Sequence, residues 1–264
     1  MKRAAAVRAA AVLAGASITL GLLAAAGGDA RHSGYDDMTP QTQAMQRDDA
    51  QNPAMLWVQE GEAAWQRVPD GAAPGARTCQ QCHGTAATSM KGVAARYPAY
   101  DDAARGPITL AQRLNACRVR HQGAAALALE SQELLSLEAY VALQSRGLPI
   151  APPDDPRLAA ARAAGERLFH RRIGQLDLSC AQCHDERAGG KLAGALIPQG
   201  HPTGYPIYRL EWQDLGSLQR RLRGCISGVR AEPYDYGSAE LTELELYLAT
   251  RAAGMKVESP AVRP

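Results

Sequence analysis

Few sequence features constrain a fold as hard as C-x-x-C-H, and this chain carries it twice, at Cys79-Gln80-Gln81-Cys82-His83 and at Cys180-Ala181-Gln182-Cys183-His184. Two thiols at this spacing can each form a thioether with one porphyrin vinyl, and the adjacent imidazole then faces the iron, so the signature is that of c-type haem attachment. A thioredoxin-like redox pair would need a βαβ context, and a zinc site a second paired-ligand cluster; neither is visible. The chain reads as a protein folded around two covalently bound c-type haems. Cys79, Cys82 and His83 attach one, and Cys180, Cys183 and His184 the other. The single Phe and 5% aromatic content fit an interior in which haem is the large apolar centre.

The rest of the pattern also comes twice. Asn52-Pro53 and Asp155-Pro156 each place a capping side chain before a proline at the first helical position. Gly61-Glu62 recurs as Gly165-Glu166, and Arg113-Leu114-Asn115-Ala116-Cys117 as Arg221-Leu222-Arg223-Gly224-Cys225. Leu134, Leu137, Val141 and Gly147 recur as Leu241, Leu244, Leu248 and Gly254, an amphipathic helix with a glycine stop. An internal duplication explains this economically. The expected fold class is all-α, two c-type cytochrome domains with long haem-wrapping loops and no strand run. Residues 52–147 form the first haem domain and 157–264 the second, while 148–156, rich in proline, form a linker. Residues 27–51 are polar and aperiodic and read as an N-terminal arm or loose tail.

Residues 1–26 read as an export signal, with Lys2, Arg3 and Arg8 ahead of the uncharged run Ala9 to Ala26 and small residues for cleavage. That run is mostly Ala and Gly rather than Leu and Ile, which favours a cleaved leader over a membrane anchor. A periplasmic location follows. Removing the leader takes away three basic residues and no acidic ones, so the formal charge falls from +2 to −1. Such a balance excludes a nucleic-acid-binding protein.

Two of the six cysteines, Cys117 and Cys225, are not used by the signatures. Each follows its own signature by a similar distance, where a c-type chain crosses the open face of the iron. Haem iron accepts Cys as well as His or Met, so both read as axial ligands opposite His83 and His184. A disulfide between them is the alternative in an oxidising compartment. Met90, Met255 and His121 are competing ligands, whereas His201, His32 and His170 read as loop or surface residues. Thiolate ligation stabilises ferric iron and predicts low potentials. Arg209, Arg220, Arg221, Arg223 and Arg230 near Cys225 would attract a small dianion. Arg113, Arg118 and Arg120 near Cys117 look similar, and any of these can instead pair a haem propionate.

The block His201-Pro202-Thr203-Gly204-Tyr205-Pro206, the run Tyr208-Arg209-Leu210-Glu211-Trp212-Gln213, Gly224-Cys225 with Arg230-Ala231-Glu232-Pro233-Tyr234, and Leu244-Glu245-Leu246-Tyr247-Leu248-Ala249 resemble the SoxA family. That family is the larger cytochrome subunit of the sulfur-oxidising SoxAX complex, L-cysteine S-thiosulfotransferase. The resemblance implies His83 and Cys117 as ligands of the first haem, His184 and Cys225 as ligands of the second, Cys225 as the catalytic position and Arg221 as a basic residue of the active-site channel. It also implies a monohaem SoxX-like partner and a SoxYZ-like sulfur-carrier protein, with thiosulfate joined to a carrier cysteine and no stable membrane insertion. A dihaem thiosulfate dehydrogenase forming tetrathionate and a plain electron-transfer cytochrome are the rival expectations.

Overall fold

A computed structural model describes residues 29–264 apart from residue 193, so the leader assigned to residues 1–26 lies outside the described residues. In chain order, α1 (Pro40–Arg47), α2 (Met55–Gln66), the motif helix α3 (Cys79–His83) and the single turn α4 (Ala86–Ser89) precede a hairpin, β1 (Ala99–Asp101) and β2 (Gly106–Ile108). Helices α5 (Leu110–Cys117) and α6 (Gln132–Leu143) complete the first half. The second half runs through α7 (Ala159–His170), the motif helix α8 (Cys180–His184) and the short hairpin β3 (Lys191–Leu192) and β4 (Ala195–Leu196). It continues with β5 (Ile207–Arg209), β6 (Asp214–Gly216), α9 (Leu218–Gly228), α10 (Ala239–Arg251) and β7 (Ala261–Arg263).

Helix starts are written in the sequence. Thr78 and Ser179 cap the two motif helices and form capping boxes with Gln81 and Gln182, each glutamine side chain accepting from the cap N–H at 2.9 Å. Thr109 and Ser217 cap α5 and α9, and Ser131 and Ser238 cap α6 and α10. Each cap contributes about 1 kcal/mol to a helix too short to persist alone. Asn52 does not cap α2 in the expected way. Its Oδ1 accepts from the Ala54 N–H at 3.0 Å, the helix begins three residues after it, and its Nδ2 donates to the Pro260 carbonyl.

Each half is braced by a helix pair in backbone contact. A Cβ at Gly61 would stand 2.0 Å from the Ser136 carbonyl oxygen, and one at Gly165 2.0 Å from that of Glu243. Only glycine permits such an approach, and α2 on α6 therefore repeats as α7 on α10. Phe169, Ala181, Ile226, Leu241, Leu244 and Leu248 fill the second half, while Trp65, Ala86, Leu110 and Val141 fill the first.

The all-α expectation needs correction, because small sheets are present. β1 pairs with β2, β3 with β4, and β5 lies between antiparallel β6 and parallel β7. Strands of two or three residues are too short to show a period-two pattern. The three-stranded sheet supplies Tyr208, Leu215 and Val262 to a cluster with Ala54, Val58, Leu135 and Ala139 of the first half. Burying Leu215 and Val262 completely contributes roughly 2 kcal/mol each, so this shared core ties the halves together.

The segment read as an arm or loose tail and the segment read as a linker both make tertiary contacts. In the arm, Thr39 caps α1, and Gln46 Oε1 accepts from the Val262 N–H at 3.1 Å and from Arg263. Residues 148–156 run along the C-terminal segment: Val257 N–H donates to Leu148, Ile150 N–H to Met255 and Gly254 N–H to Ile150, at 2.8 to 2.9 Å. Ile150 is buried. Residues 31–264 accordingly form one compact unit.

Between the halves lies a cavity of about 110 Å³ whose walls come in equivalent pairs: Tyr97 with Tyr205, Glu138 with Glu245, Ala142 with Ala249. Burial pushes the Glu138 carboxyl up to about 8, helped by the charges of Glu245 and Glu130. It pushes Glu245 up to about 7, against a hydrogen bond from Gln219.

Candidate functional site

The capped turn of α8 presents Cys180, Cys183 and His184 on one short helix. His184 Nδ1 donates to the Pro198 carbonyl oxygen at 2.8 Å, which fixes the tautomer and leaves Nε2 to face outward. The loop comes this close because residue 200 is glycine, at φ 73°; a Cβ there would touch the imidazole ring at 3.0 Å. From the opposite side α9 brings Cys225 within hydrogen-bonding reach of His184. Burial opposes protonation of His184, but Cys225 and the Pro198 carbonyl together raise its pKa.

Cys225 is the unusual thiol of the molecule. Burial pushes its pKa up, yet the hydrogen bond with His184 and the positive charges of Arg221 and Arg209 outweigh it and bring the pKa below the ordinary thiol value. Arg221 makes no ion pair with a carboxylate among the described residues. Two of the other arginines noted in the sequence, Arg220 and Arg223, are engaged elsewhere. Arg220 binds Asp214 at 3.0 Å and stacks on Trp212, and Arg223 donates to the Tyr234 carbonyl and lies over Tyr236.

In the first half α3 presents Cys79, Cys82 and His83, with Trp65 packed against the His83 ring at 5.8 Å and donating to Gly84. The end of α5 brings Cys117 into electrostatic contact with Cys79 and Cys82. Burial raises the Cys117 pKa and the neighbouring arginines do not reverse it. All six cysteines are free, so Cys117 and Cys225 are not bonded to one another. Of the competing ligands, Met255 packs with Ala95, Ile150 and Val257, Met90 joins the Trp65 cluster, and His121 is exposed.

The donor set fits a c-type haem. Two thiols and an imidazole stand on one turn, a thiolate former stands opposite, and the wall behind the imidazole is kept open by a glycine. His184 and Cys225 would hold the iron, with Cys180 and Cys183 as thioether anchors. Sequence reasoning missed the roles of Pro198, Gly200 and Tyr205. The glycine in Pro198-Gln199-Gly200-His201 was the available signal, but nothing local says which ring it serves. Among the described residues no helix is long and apolar enough to cross a membrane.

The family described as SoxA/TsdA, cytochrome c domain, matches this chain twice, over residues 60–150 and 164–257. The L-cysteine S-thiosulfotransferase subunit SoxA of Rhodovulum sulfidophilum is 37% identical over 235 residues, covering 89% of this chain and 81% of the relative. The subunit of the same name from Pseudaminobacter salicylatoxidans is 36% identical, covering 88% and 80%. The crystal structure of SoxXA from P. pantotrophus superposes with a TM-score of 0.84 at 32% identity, covering 89% of this chain and 87% of that one.

Proposed function

The chain belongs to the SoxA family of L-cysteine S-thiosulfotransferase subunits, and from that premise we propose that it is a periplasmic dihaem cytochrome joining thiosulfate to a cysteine of a sulfur-carrier protein. The two matches to one cytochrome domain, together with the repeated helix pairs, support an origin by duplication and a haem in each half. On this reading His83 with Cys117 and His184 with Cys225 are the axial pairs. The partner is a small monohaem cytochrome, as the SoxXA structure suggests, and the carrier is SoxYZ-like.

The observation that carries the reaction is a Cys225 free of any disulfide and brought beside His184 of the motif turn, with Arg221 making no ion pair with a carboxylate among the described residues. Arg221 offsets the charge of the incoming dianion. The Cys225 thiolate bonds to the sulfane sulfur, and two electrons leave in forming the S–S bond. When bound, haem supplies a one-electron acceptor for each. A carrier thiolate then attacks the sulfane sulfur, forms the carrier S-thiosulfonate and releases Cys225 as thiolate, so atoms and charge balance. The His184 to Pro198 bond keeps the imidazole from turning away meanwhile.

The test uses the purified haem-loaded complex with thiosulfate, carrier and an electron acceptor. Wild type adds the thiosulfonate mass to the carrier, and Cys225→Ala does not. Tetrathionate formed without carrier would assign the chain to the dehydrogenase reaction, and unchanged turnover in Cys225→Ala would reduce it to an electron relay.

A further inference from the structure

The two long hairpins occupy equivalent places, and the third residue of the first strand differs between them. Asp101 pairs across the hairpin with Gly106, and Arg209 pairs with Asp214. Asp101 is 4% exposed and binds Arg113 at 2.9 Å and Arg120 at 3.3 Å. Arg113 also donates to the Tyr97 hydroxyl at 3.2 Å. The arginine one turn before Cys117 is thus neutralised by a buried carboxylate. In the second half Tyr205 stands for Tyr97, Arg221 for Arg113 and Cys225 for Cys117, but the carboxylate has become a guanidinium.

Arg209 is held in place without being neutralised in kind. Its side chain is 16% exposed and its cross-strand partner Asp214 is occupied by Arg220. Its carboxylate contact is Glu211 at 3.0 Å, which is 64% exposed and therefore screened by water. Its guanidinium lies over the Trp212 ring, 5.2 Å from the centroid, and its Nε is buried with no hydrogen-bond partner among the described residues. Burial lowers the Arg209 pKa, Arg221 is the charge that adds most to this, and both guanidiniums act on Tyr205, so the two arginines belong to one neighbourhood. Two like charges brought together in a half-buried site are a cost that an anion between them removes.

We propose that Arg209 is a second anion-holding residue of the Cys225 site, and that the exchange of aspartate for arginine between positions 101 and 209 confines dianion binding to the second half. This rests on the functional reading above. The ligand class is a small sulfur oxyanion of charge −2, with thiosulfate as the case in hand.

The experiment compares the haem-loaded wild-type complex with Arg209→Gln and Arg209→Lys. Two readouts are taken: KM and kcat for thiosulfate in carrier-dependent turnover, and thiosulfate Kd by calorimetry without carrier. Arg209→Gln is expected to raise KM and Kd by at least about tenfold with kcat within about threefold, and Arg209→Lys to recover most of the loss. The proposal is overturned if Arg209→Gln leaves both constants within twofold. It is also overturned if both variants lower the melting temperature and haem absorption, with kcat falling and Kd unchanged. Arg209-dependent thiosulfate binding without carrier-dependent turnover would keep the anion site and sink the functional reading. Normal turnover with unchanged KM in the variants would do the reverse.

Discussion

The two halves carry similar parts around their free cysteines, and the pairing of charges differs between them. Near Cys117, Arg113 and Arg120 share Asp101, and Arg118 pairs with Glu133. Near Cys225, the position of Asp101 is Arg209, and Arg221 makes no ion pair with a carboxylate among the described residues. The consequence appears in the thiols. Burial dominates at Cys117 and raises its pKa, while His184 and two guanidiniums override burial at Cys225. A basic sequence neighbourhood therefore does not make an anion site; what matters is whether the fold supplies the counter-charge.

The comparison can be broken most severely at the cysteines. Replacing Cys225 by Ala is expected to lower carrier-dependent turnover on the order of 10³-fold or more, and replacing Cys117 by Ala to cost less than about tenfold. Equal losses would mean that the halves share the chemistry. Next come the helix contacts. Gly165→Ala and Gly61→Ala should each destabilise by about 3 kcal/mol, since neither carbonyl neighbour can retreat from a 2.0 Å approach without parting the helices. Denaturant unfolding reads this, and a tolerated alanine in one half would show that its helix pair can separate.

The smallest effect is the sharpest. Burial pushes Glu138 up to about 8 and Glu245 up to about 7, above the ordinary glutamate value of 4.5. Between those limits the folded state holds more protons than the unfolded one, so their contribution makes stability fall as pH rises from about 4.5 and levels off beyond about 8. Glu138→Gln should flatten that fall, raising the melting temperature at pH 8 by a few degrees and leaving it nearly unchanged at pH 4.5. Glu245→Gln should do less, because Gln219 already offsets part of the burial cost of Glu245. Melting curves from pH 4.5 to 9 decide between the two.

Much of this was legible in the chain. The two Cys-x-x-Cys-His motifs and the closing helices follow from short-range patterns, whereas Gly61 and Gly165 were visible only as a repeat, their close contacts with Ser136 and Glu243 lying far along the chain. The duplicated spacing also placed Cys117 and Cys225 as equivalents. The strands escaped notice because three residues carry no period. The docking of residues 31–51 and 148–156 rests on partners such as Val262 and Met255, more than a hundred residues away. Arg209 was visible as a basic residue, but its contrast with Asp101 needs the two hairpins superposed. Glu138 and Glu245 drew no reading in the sequence, and burial between the halves is what sets them apart.

The core in which Tyr208, Leu215 and Val262 pack on Ala54, Val58, Leu135 and Ala139 has an evolutionary consequence. A descendant whose first half had lost whatever separate task it performs could not discard the polypeptide of that half. The surviving half would lose the floor under its own sheet, so natural selection would preserve an idle scaffold for the sake of its working neighbour.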